Sequence, residues 1–461
     1  MLRQFDEDTI AAIATPPGEG GIGIVRLSGP EAIGVADKIF RSKSGRSVRE
    51  QRSFTVQVGW IVSNGVVDEA LMMVMRGPKS YTREDMVEIS AHGGTAVLQA
   101  ILELALKAGA RLALPGEFTK RAFLGGRVDL VQAEAVLDLI KAKTELASRW
   151  AAAQLEGALS RKIQAMKEEL LHVLSHLEAS IDFPDDFLEP DGLSRIEERL
   201  KKLEEGIGFL LDGSRLGILA KQGFKAAILG RPNVGKSSLM NKLAGSNRVI
   251  VTPYPGTTRD VVEEEVRLRG FPMRIWDTAG LRETTDPIEK EGIRRSQRAM
   301  READILLYVV DGSQEWTRED TEWFGRLNGA VKLVVVNKAD LPQKIDGEEL
   351  EQKLQGDSFV RTSCVREDGT RMLEDEIFRL VTKGAMQVSD EVVVSSVRQK
   401  DLLEKALRHL KGAVQACREG FLPELVAVDI REALYDLGVL VGEVYTDDLL
   451  EVLFNQFCIG K

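Results

Sequence analysis

The sequence predicts a multidomain chain: an α+β N-terminal domain, a discontinuous α-helical domain, and an α/β domain inserted into the helical one. Three observations predict it. Short β-like runs and helical stretches are mixed over the first ~120 residues, residues 224–382 alternate strand and helix, and amphipathic helical stripes lie on both sides of that alternating block. At 461 residues the chain is too long for one core and suits two or three domains.

In chain order, TIAAIAT, GIGIVRLSG, FTVQVGWIV, EALMMVMR and MVEISA read as strands, with helices after Ser28 and after Gly93. From Leu130 to Ile181 the period changes. Val136, Leu137, Ile140, Leu155, Leu159, Ile163, Met166, Leu170, Leu174, Leu177 and Ile181 recur at three and four, one apolar stripe on long helices. A second stripe runs from Leu193 through Ile196, Leu200, Leu203 and Ile207 to Leu210. After residue 397 only amphipathic helical patterns occur, interrupted at Gly420 and Pro423. Such stripes need partners, and each helical block is the nearest source for the other.

The formal net charge of −10 argues against a protein that coats nucleic acid through many phosphate contacts, although a local basic patch remains compatible with it. No apolar run approaches the roughly 18 residues of a membrane span, and the acidic start differs from a secretory signal. Cys364, Cys417 and Cys458 are too few and too scattered for a disulfide framework or a zinc site. A cytoplasmic protein without a membrane span is expected.

The chemistry concentrates in the inserted block. FKAAILGRPNVGKSSL places a β-like run before Gly230–Ser237 in the G-x-x-x-x-G-K-S spacing, then a helix. Backbone N–H groups of such a loop wrap phosphates, with Asn233, Val234, Gly235, Lys236, Ser237 and Ser238 in the wrapping segment. Lys236 reaches the β- and γ-phosphates, and Ser237 ligates Mg²⁺. DTAG, Asp277 with Thr278, Ala279 and Gly280, follows a strand-like run, so Asp277 can hold the magnesium through water while the Gly280 amide faces the γ-phosphate. In NKAD, Asp340 can accept from the two donor nitrogens on guanine's edge, which selects GTP over ATP. Asn337 ties this loop to the phosphate loop, the Lys338 stem covers the base, and Thr362, Ser363 and Cys364 supply backbone contacts. The first switch loop falls at Thr252, Pro253, Tyr254, Pro255, Gly256, Thr257 and Thr258, with Thr258 as second protein ligand to Mg²⁺. Read alone, that stretch is also an ordinary turn. Leu281 stands where Ras-like enzymes keep the water-orienting glutamine, and a leucine has no hydrogen bond to offer.

Together with the N-terminal TPPGEGGIGIVRLSG, AHGG and LPGEFTKRAFLGGRVDL and the terminal FCIGK, these motifs resemble the MnmE (TrmE) family of tRNA modification GTPases along essentially the full length. The resemblance implies residues 1–122 as a tetrahydrofolate-binding and dimerisation domain, 123–222 and 385–461 as two parts of a helical domain, and 223–384 as the inserted P-loop GTPase domain. It implies a K⁺ ion held by Asn233, Thr252, Tyr254 and Thr257 and enclosed when two GTPase domains meet. It also implies that Glu289 orients the water in place of the missing glutamine; by itself Glu289 reads as a solvated first-turn helix residue. Arg26, Glu88, Arg127 and Lys461 are the implied folate residues, for a 5-formyl- or methylene-tetrahydrofolate. Arg127 departs from the family's more frequent asparagine-glycine-lysine, which leaves its place open.

The implied activity is modification of C5 of the wobble uridine (position 34) of certain tRNAs. It would run in a homodimer joined by the flavoprotein MnmG as a heterotetramer. Cys458 is implied in modification though not in hydrolysis, as nucleophile or as acid. Without the resemblance it reads as a small hydrophobe at a helix end. Two other readings fit the middle block: a ribosome-assembly GTPase of the Era or EngA type, and a nucleotide-sensing switch with negligible turnover.

Two patterns are decoys, and a histidine pair is weaker still. Gly18–Gly23 satisfies G-x-G-x-x-G, but prolines precede it and a β-like run follows. Cys458 stands fourth from the end, but its surroundings are acidic and the last residue is lysine. His172 and His176 share a helix face without a third ligand. His92 in AHGG is a weaker candidate for folate contact.

Overall fold

A computed structural model of the chain describes residues 8–182, 192–247, 263–277, 301–325, 327, 331–354, 356–383 and 393–461. Two compact units emerge, Met1–Leu137 with Gly438–Lys461, and Asp138–Leu437.

In the first unit, β1 (Ile10–Ile13), β2 (Gly20–Ser28), β3 (Phe40–Ser42), β4 (Thr55–Val62), β5 (Val66–Met75), β6 (Met86–Gly93) and β7 (Arg111–Leu112) form a sheet in the order β3-β4-β5-β6-β2-β1-β7. Every pairing is antiparallel except β1 with β7. Period-two alternation sends Val25 and Leu27, Met72 and Val74, and Val87 and Ile89 to one face, where α1 (Ala32–Ile39) and α2 (Thr95–Lys107) cover them. Gly23 is required there, since a Cβ would lie 2.4 Å from the Leu98 side chain. The strand that begins at Gly20 stands where a dinucleotide fingerprint needs a helix.

A smaller cluster joins α3 (Glu117–Leu124) and the start of α4 (Leu130–Lys141) to the chain's last helix: Phe123, Leu130 and Leu137 bury against Leu450, Leu453, Phe454 and Phe457. The terminal residues also pair with this unit, Phe118 N–H donating to the Lys461 carbonyl at 3.2 Å.

An ionic network pins the start of β1 to α3. Arg121, 5% exposed, donates to Asp8, Glu84 and Glu117, and Arg111 donates to Asp8 and Glu117. Burial opposes charge on Glu117, yet Arg111, the Leu114 N–H and Arg121 outweigh it and hold the carboxyl below its usual range. Arg111, against a smaller burial effect, does the same for Asp8. Depressed carboxyl pKa values contribute stability above the unfolded values of about 4, and that stability is lost as pH falls through the folded values. Thermal melts should therefore fall steeply below about pH 4. Arg121→Met should cost about 1.5–3 kcal/mol at neutral pH by removing a charged donor from Glu117, Glu84 and Asp8, of which Glu117 and Asp8 keep Arg111, and should flatten the acid limb. An unchanged melting temperature would show that the network holds nothing.

In the second unit, helices α5 (Glu145–Leu155), α6 (Ala158–Asp182) and α7 (Gly192–Gln222) precede the α/β block, and α12 (Val397–Arg418) and α13 (Pro423–Val441) follow it. The apolar stripe read as long helices from residue 130 is divided among α4, α5 and α6. Thr144 caps α5 through its side-chain oxygen, and Gly157, at φ +86°, ends that segment. α12 packs along α7, so the two helical blocks do cover each other: Leu200, Leu203 and Ile207 are buried, as are Leu403, Ala406 and Leu410. Arg418 reaches Glu197 and Arg431 reaches Glu178, both at 2.7 Å.

The block between is a parallel sheet in the order β13-β12-β11-β8-β10-β9, in which only the β9–β10 pairing is antiparallel. Its strands are β8 (Phe224–Leu229), β9 (Glu263–Leu268), β10 (Phe271–Asp277), β11 (Ile305–Asp311), β12 (Val331–Asn337) and β13 (Ser358–Arg361). Its helices are α8 (Lys236–Asn247), α9 (Arg318–Gly325), α10 (Gly347–Leu354) and α11 (Arg371–Thr382). All seven residues of β11 are buried, as expected of a central strand covered on both faces. The last helix of the chain, α14 (Asp447–Phe454), is the one packed into the first unit.

Candidate active site

At the carboxyl end of β8 the chain turns through Gly230 (φ +138°), Asn233 (φ +64°) and Gly235 (φ +100°) before α8 starts at Lys236. Both glycines are steric requirements. A Cβ on Gly230 would lie 2.2 Å from the Val309 carbonyl oxygen, and one on Gly235 would lie 2.2 Å from Asn337 Nδ2. The loop thus forms a backbone cradle at a helix N-terminus, an anion-binding arrangement. Lys236 Nζ donates to the carbonyls of Gly230 (2.9 Å) and Arg231 (2.8 Å), while Ser237 and Ser238 are exposed in the first turn.

Buried Asn337 ends β12 and donates from Nδ2 to the Val234 carbonyl at 3.0 Å. Its Oδ1 accepts from Thr362 Oγ1 at 3.3 Å and from the Cys364 thiol at 3.5 Å. Lys338, at φ +63°, donates to the Asn233 carbonyl at 3.2 Å. Ser363 Oγ donates to Asp340 Oδ1 at 2.6 Å, and this bond first of all holds the exposed Asp340 carboxyl below its usual range. Phosphate loop, NKAD and TSC are therefore one hydrogen-bonded assembly at the carboxyl ends of neighbouring strands, where ligands of open α/β sheets bind. Asp277 ends β10. Thr252, Pro253, Tyr254, Pro255, Gly256, Thr257, Thr258, Thr278, Ala279, Gly280 and Glu289 lie outside the described residues.

Two supports of this loop were missed in the sequence. Asp311 ends β11 and accepts from Lys338 Nζ at 2.6 Å and from Ser313; burial opposes its charge, but these partners keep its carboxyl below the usual range. The signal was an acid closing the buried run ILLYVV. Asp320, 1% exposed, lies 3.0 Å from Arg231 Nε and accepts from Tyr308 OH and Thr317. That pairing joins α9 to the phosphate loop, far apart in sequence, and left no local pattern.

In the first unit, Arg26 and Glu88 are direct cross-strand neighbours, with Nε 2.9 Å from Oε1. Arg26 Nη1 donates to the Gly460 carbonyl at 3.2 Å. Burial and then Arg26 push the Lys461 ammonium below its usual range, against Glu88 and Cys458. The guanidiniums of Arg26 and Arg127 lie 6.0 and 4.8 Å from the centroid of the Tyr81 ring. Arg26, Glu88 and Lys461 therefore gather in one group beside Gly460, and Arg127 borders it through the Tyr81 ring that both arginines face. The Cys458 side chain is exposed. His92 Nδ1 is 2.7 Å from Asp68 Oδ1 and lies apart from this group of contacts. Among the described residues, no group of His, Cys, Asp or Glu is arranged to hold a metal ion, and no helix is long and apolar enough to cross a membrane.

A family model described as the MnmE helical domain matches residues 130–458, and one described as the GTP-binding protein TrmE N-terminus matches residues 9–127. The chain belongs to the MnmE family. The tRNA modification GTPase MnmE of Thermoanaerobacter pseudethanolicus is 46% identical over 457 residues, covering 98% of this chain and 99% of that protein. The MnmE proteins of Symbiobacterium thermophilum and Bacillus subtilis are 47% and 44% identical, each over 458 residues and 100% of their own length. A ribosome-assembly reading accounts for the middle block alone, whereas the match to MnmE runs through both flanks.

Proposed function

We propose that this chain hydrolyses GTP in the course of modifying the wobble uridine (position 34) of tRNAs at C5. The observation that carries the reading is the Asn337–Val234 bond, which joins a guanine-selective loop to a phosphate loop in a chain aligned end to end with tRNA modification GTPases. Asp340 selects guanine, the Gly230–Lys236 cradle holds the phosphates, and Glu289 orients the attacking water. Ser237 and Thr258 would hold Mg²⁺, and Asn233, Thr252, Tyr254 and Thr257 would hold K⁺; the two cations supply neutralisation of charge on the phosphates during cleavage. Closure of two GTPase domains in a homodimer completes the cation cage.

Arg26, Glu88, Arg127 and Lys461 bind a formyl- or methylene-tetrahydrofolate as one-carbon source. Cys458 acts in the modification step. The flavoprotein MnmG is the partner, in a cytoplasmic heterotetramer.

Hydrolysis by the native protein should be faster in KCl than in NaCl, and Glu289→Ala should bind GTP normally while losing turnover. Cys458→Ser should keep hydrolysis but leave wobble uridines unmodified by mass spectrometry. Equal rates in both salts would remove the ion from the mechanism, and fully modified tRNA would remove the thiol.

A further inference from the structure

The first unit contains an open cleft of 690 Å³ whose lining includes Phe54, Lys79, Tyr81, Arg83 and Arg127 and not one carboxylate. Three cations converge there on a chain whose net charge is −10. The backbone marks the same place. Six non-glycine residues among those described have positive φ; Asn233 and Lys338 are at the nucleotide loops, and Phe54 (φ +58°) and Arg83 (φ +66°) both line this cleft. For a residue as bulky as phenylalanine that conformation is a strained outlier, and such strain gathers at functional sites. The strain has a visible result. Phe54 is fixed by its N–H donating to the Val74 carbonyl at 2.8 Å, and its ring is left 59% exposed. Arg83 Nη1 donates to the carbonyls of Gly125 (3.0 Å) and Gly126 (3.2 Å), bracing the wall beside Arg127, which stacks over Tyr81.

An exposed ring flanked by cations, with no acid among them, suits a ligand that alternates planar bases with phosphates. We propose that this cleft binds a single-stranded segment of RNA, one base stacking on Phe54 while flanking phosphates meet Lys79 and Arg83. The inference rests on the tRNA reading above. It favours an unpaired segment because a duplex offers no free base face to the ring. The half-buried Arg26–Glu88 pair is absent from the cleft lining and meets the cleft only at Tyr81, which Arg26 and Arg127 both face.

The test is fluorescence anisotropy on the full-length protein with three probes: an RNA hairpin with a uridine-containing loop, a fully paired RNA duplex, and 5-formyltetrahydrofolate. Native protein should prefer the hairpin. Phe54→Gly should weaken hairpin binding about tenfold. It should melt no lower than native, because glycine relieves the positive φ. A merely structural phenylalanine would do the opposite, lowering the melting temperature and leaving RNA affinity alone. Lys79→Ala should reduce the salt dependence of hairpin binding by about 0.7 in log–log slope. Should Phe54→Gly fail to fold, Lys79→Ala decides by itself. Unchanged hairpin affinity and slope in both variants would overturn the proposal, as would loss of folate binding with RNA binding intact. A native protein that hydrolyses GTP yet binds neither RNA would overturn the tRNA reading as well, whereas native binding with unaltered variants overturns the cleft alone.

Discussion

Gly235→Ala is expected to weaken nucleotide binding by at least about 10²-fold while the chain still folds. At φ +100° an alanine is strained by roughly 1–2 kcal/mol. Its methyl would also stand 2.2 Å from Asn337 Nδ2, a contact that cannot persist. Asn337 has nowhere to retreat, being buried and bonded to the loops on both sides. Moving it breaks the Val234 tie and strands a buried amide at about 1–3 kcal/mol. Together these come to about 2–5 kcal/mol, comparable with the ~2.7 kcal/mol of a 10²-fold loss, and they reach nucleotide affinity because the tie orders the phosphate loop. Titration with a fluorescent GDP analogue, alongside circular dichroism, checks this, and native affinity in a folded variant would mean that the Asn337 bridge is incidental.

The second large effect concerns the base. Asp340→Asn should lower GTP affinity by roughly 10²–10⁴-fold, since two hydrogen bonds to a charged acceptor, worth about 1.5–3 kcal/mol each, are lost. The same substitution should raise affinity for xanthosine triphosphate, whose 2-oxo group can accept from the new amide where guanine presents an amine. Ser363 supports the prediction by anchoring Asp340 Oδ1 at 2.6 Å and favouring the anion, so the native carboxylate is oriented and ionised at neutral pH. Competition between the two nucleotides on native and variant protein is the measurement. A variant that still prefers GTP would displace Asp340 from the recognition role.

Much of the fold was legible because the sequence obeys one period at a time. Val25, Leu27, Val87 and Ile89 alternate and are buried alternately, and the stripe through Leu200, Leu203 and Ile207 is buried along one helix. The short β3 and β7 escaped, since two or three residues cannot display a period, and both are held by register with β4 and β1. The boundaries at Thr144 and Gly157 carried their own signals, a cap and a left-handed glycine, beneath an apolar stripe that continued across them. At the site, the glycine and NKAD spacings announced themselves because their chemistry is local. Asp320 did not. Its value to Arg231 exists only once α9 and the phosphate loop are neighbours in space. Phe54 and Arg83 were equally silent, because a backbone angle is invisible in a string of letters.

The tail that closes the first unit imposes an order on events during synthesis. Arg26 and Gly460 are 434 residues apart, and Pro115 bridges to Ile459, so these contacts wait until the whole intervening portion has emerged from the ribosome. Loop closure on that scale is slow compared with helix pairing within α6 and α7. The N-terminal sheet is therefore made early and finished late, and in the interval the side chains that Leu450 and Phe454 will cover are open to whatever chaperone is at hand.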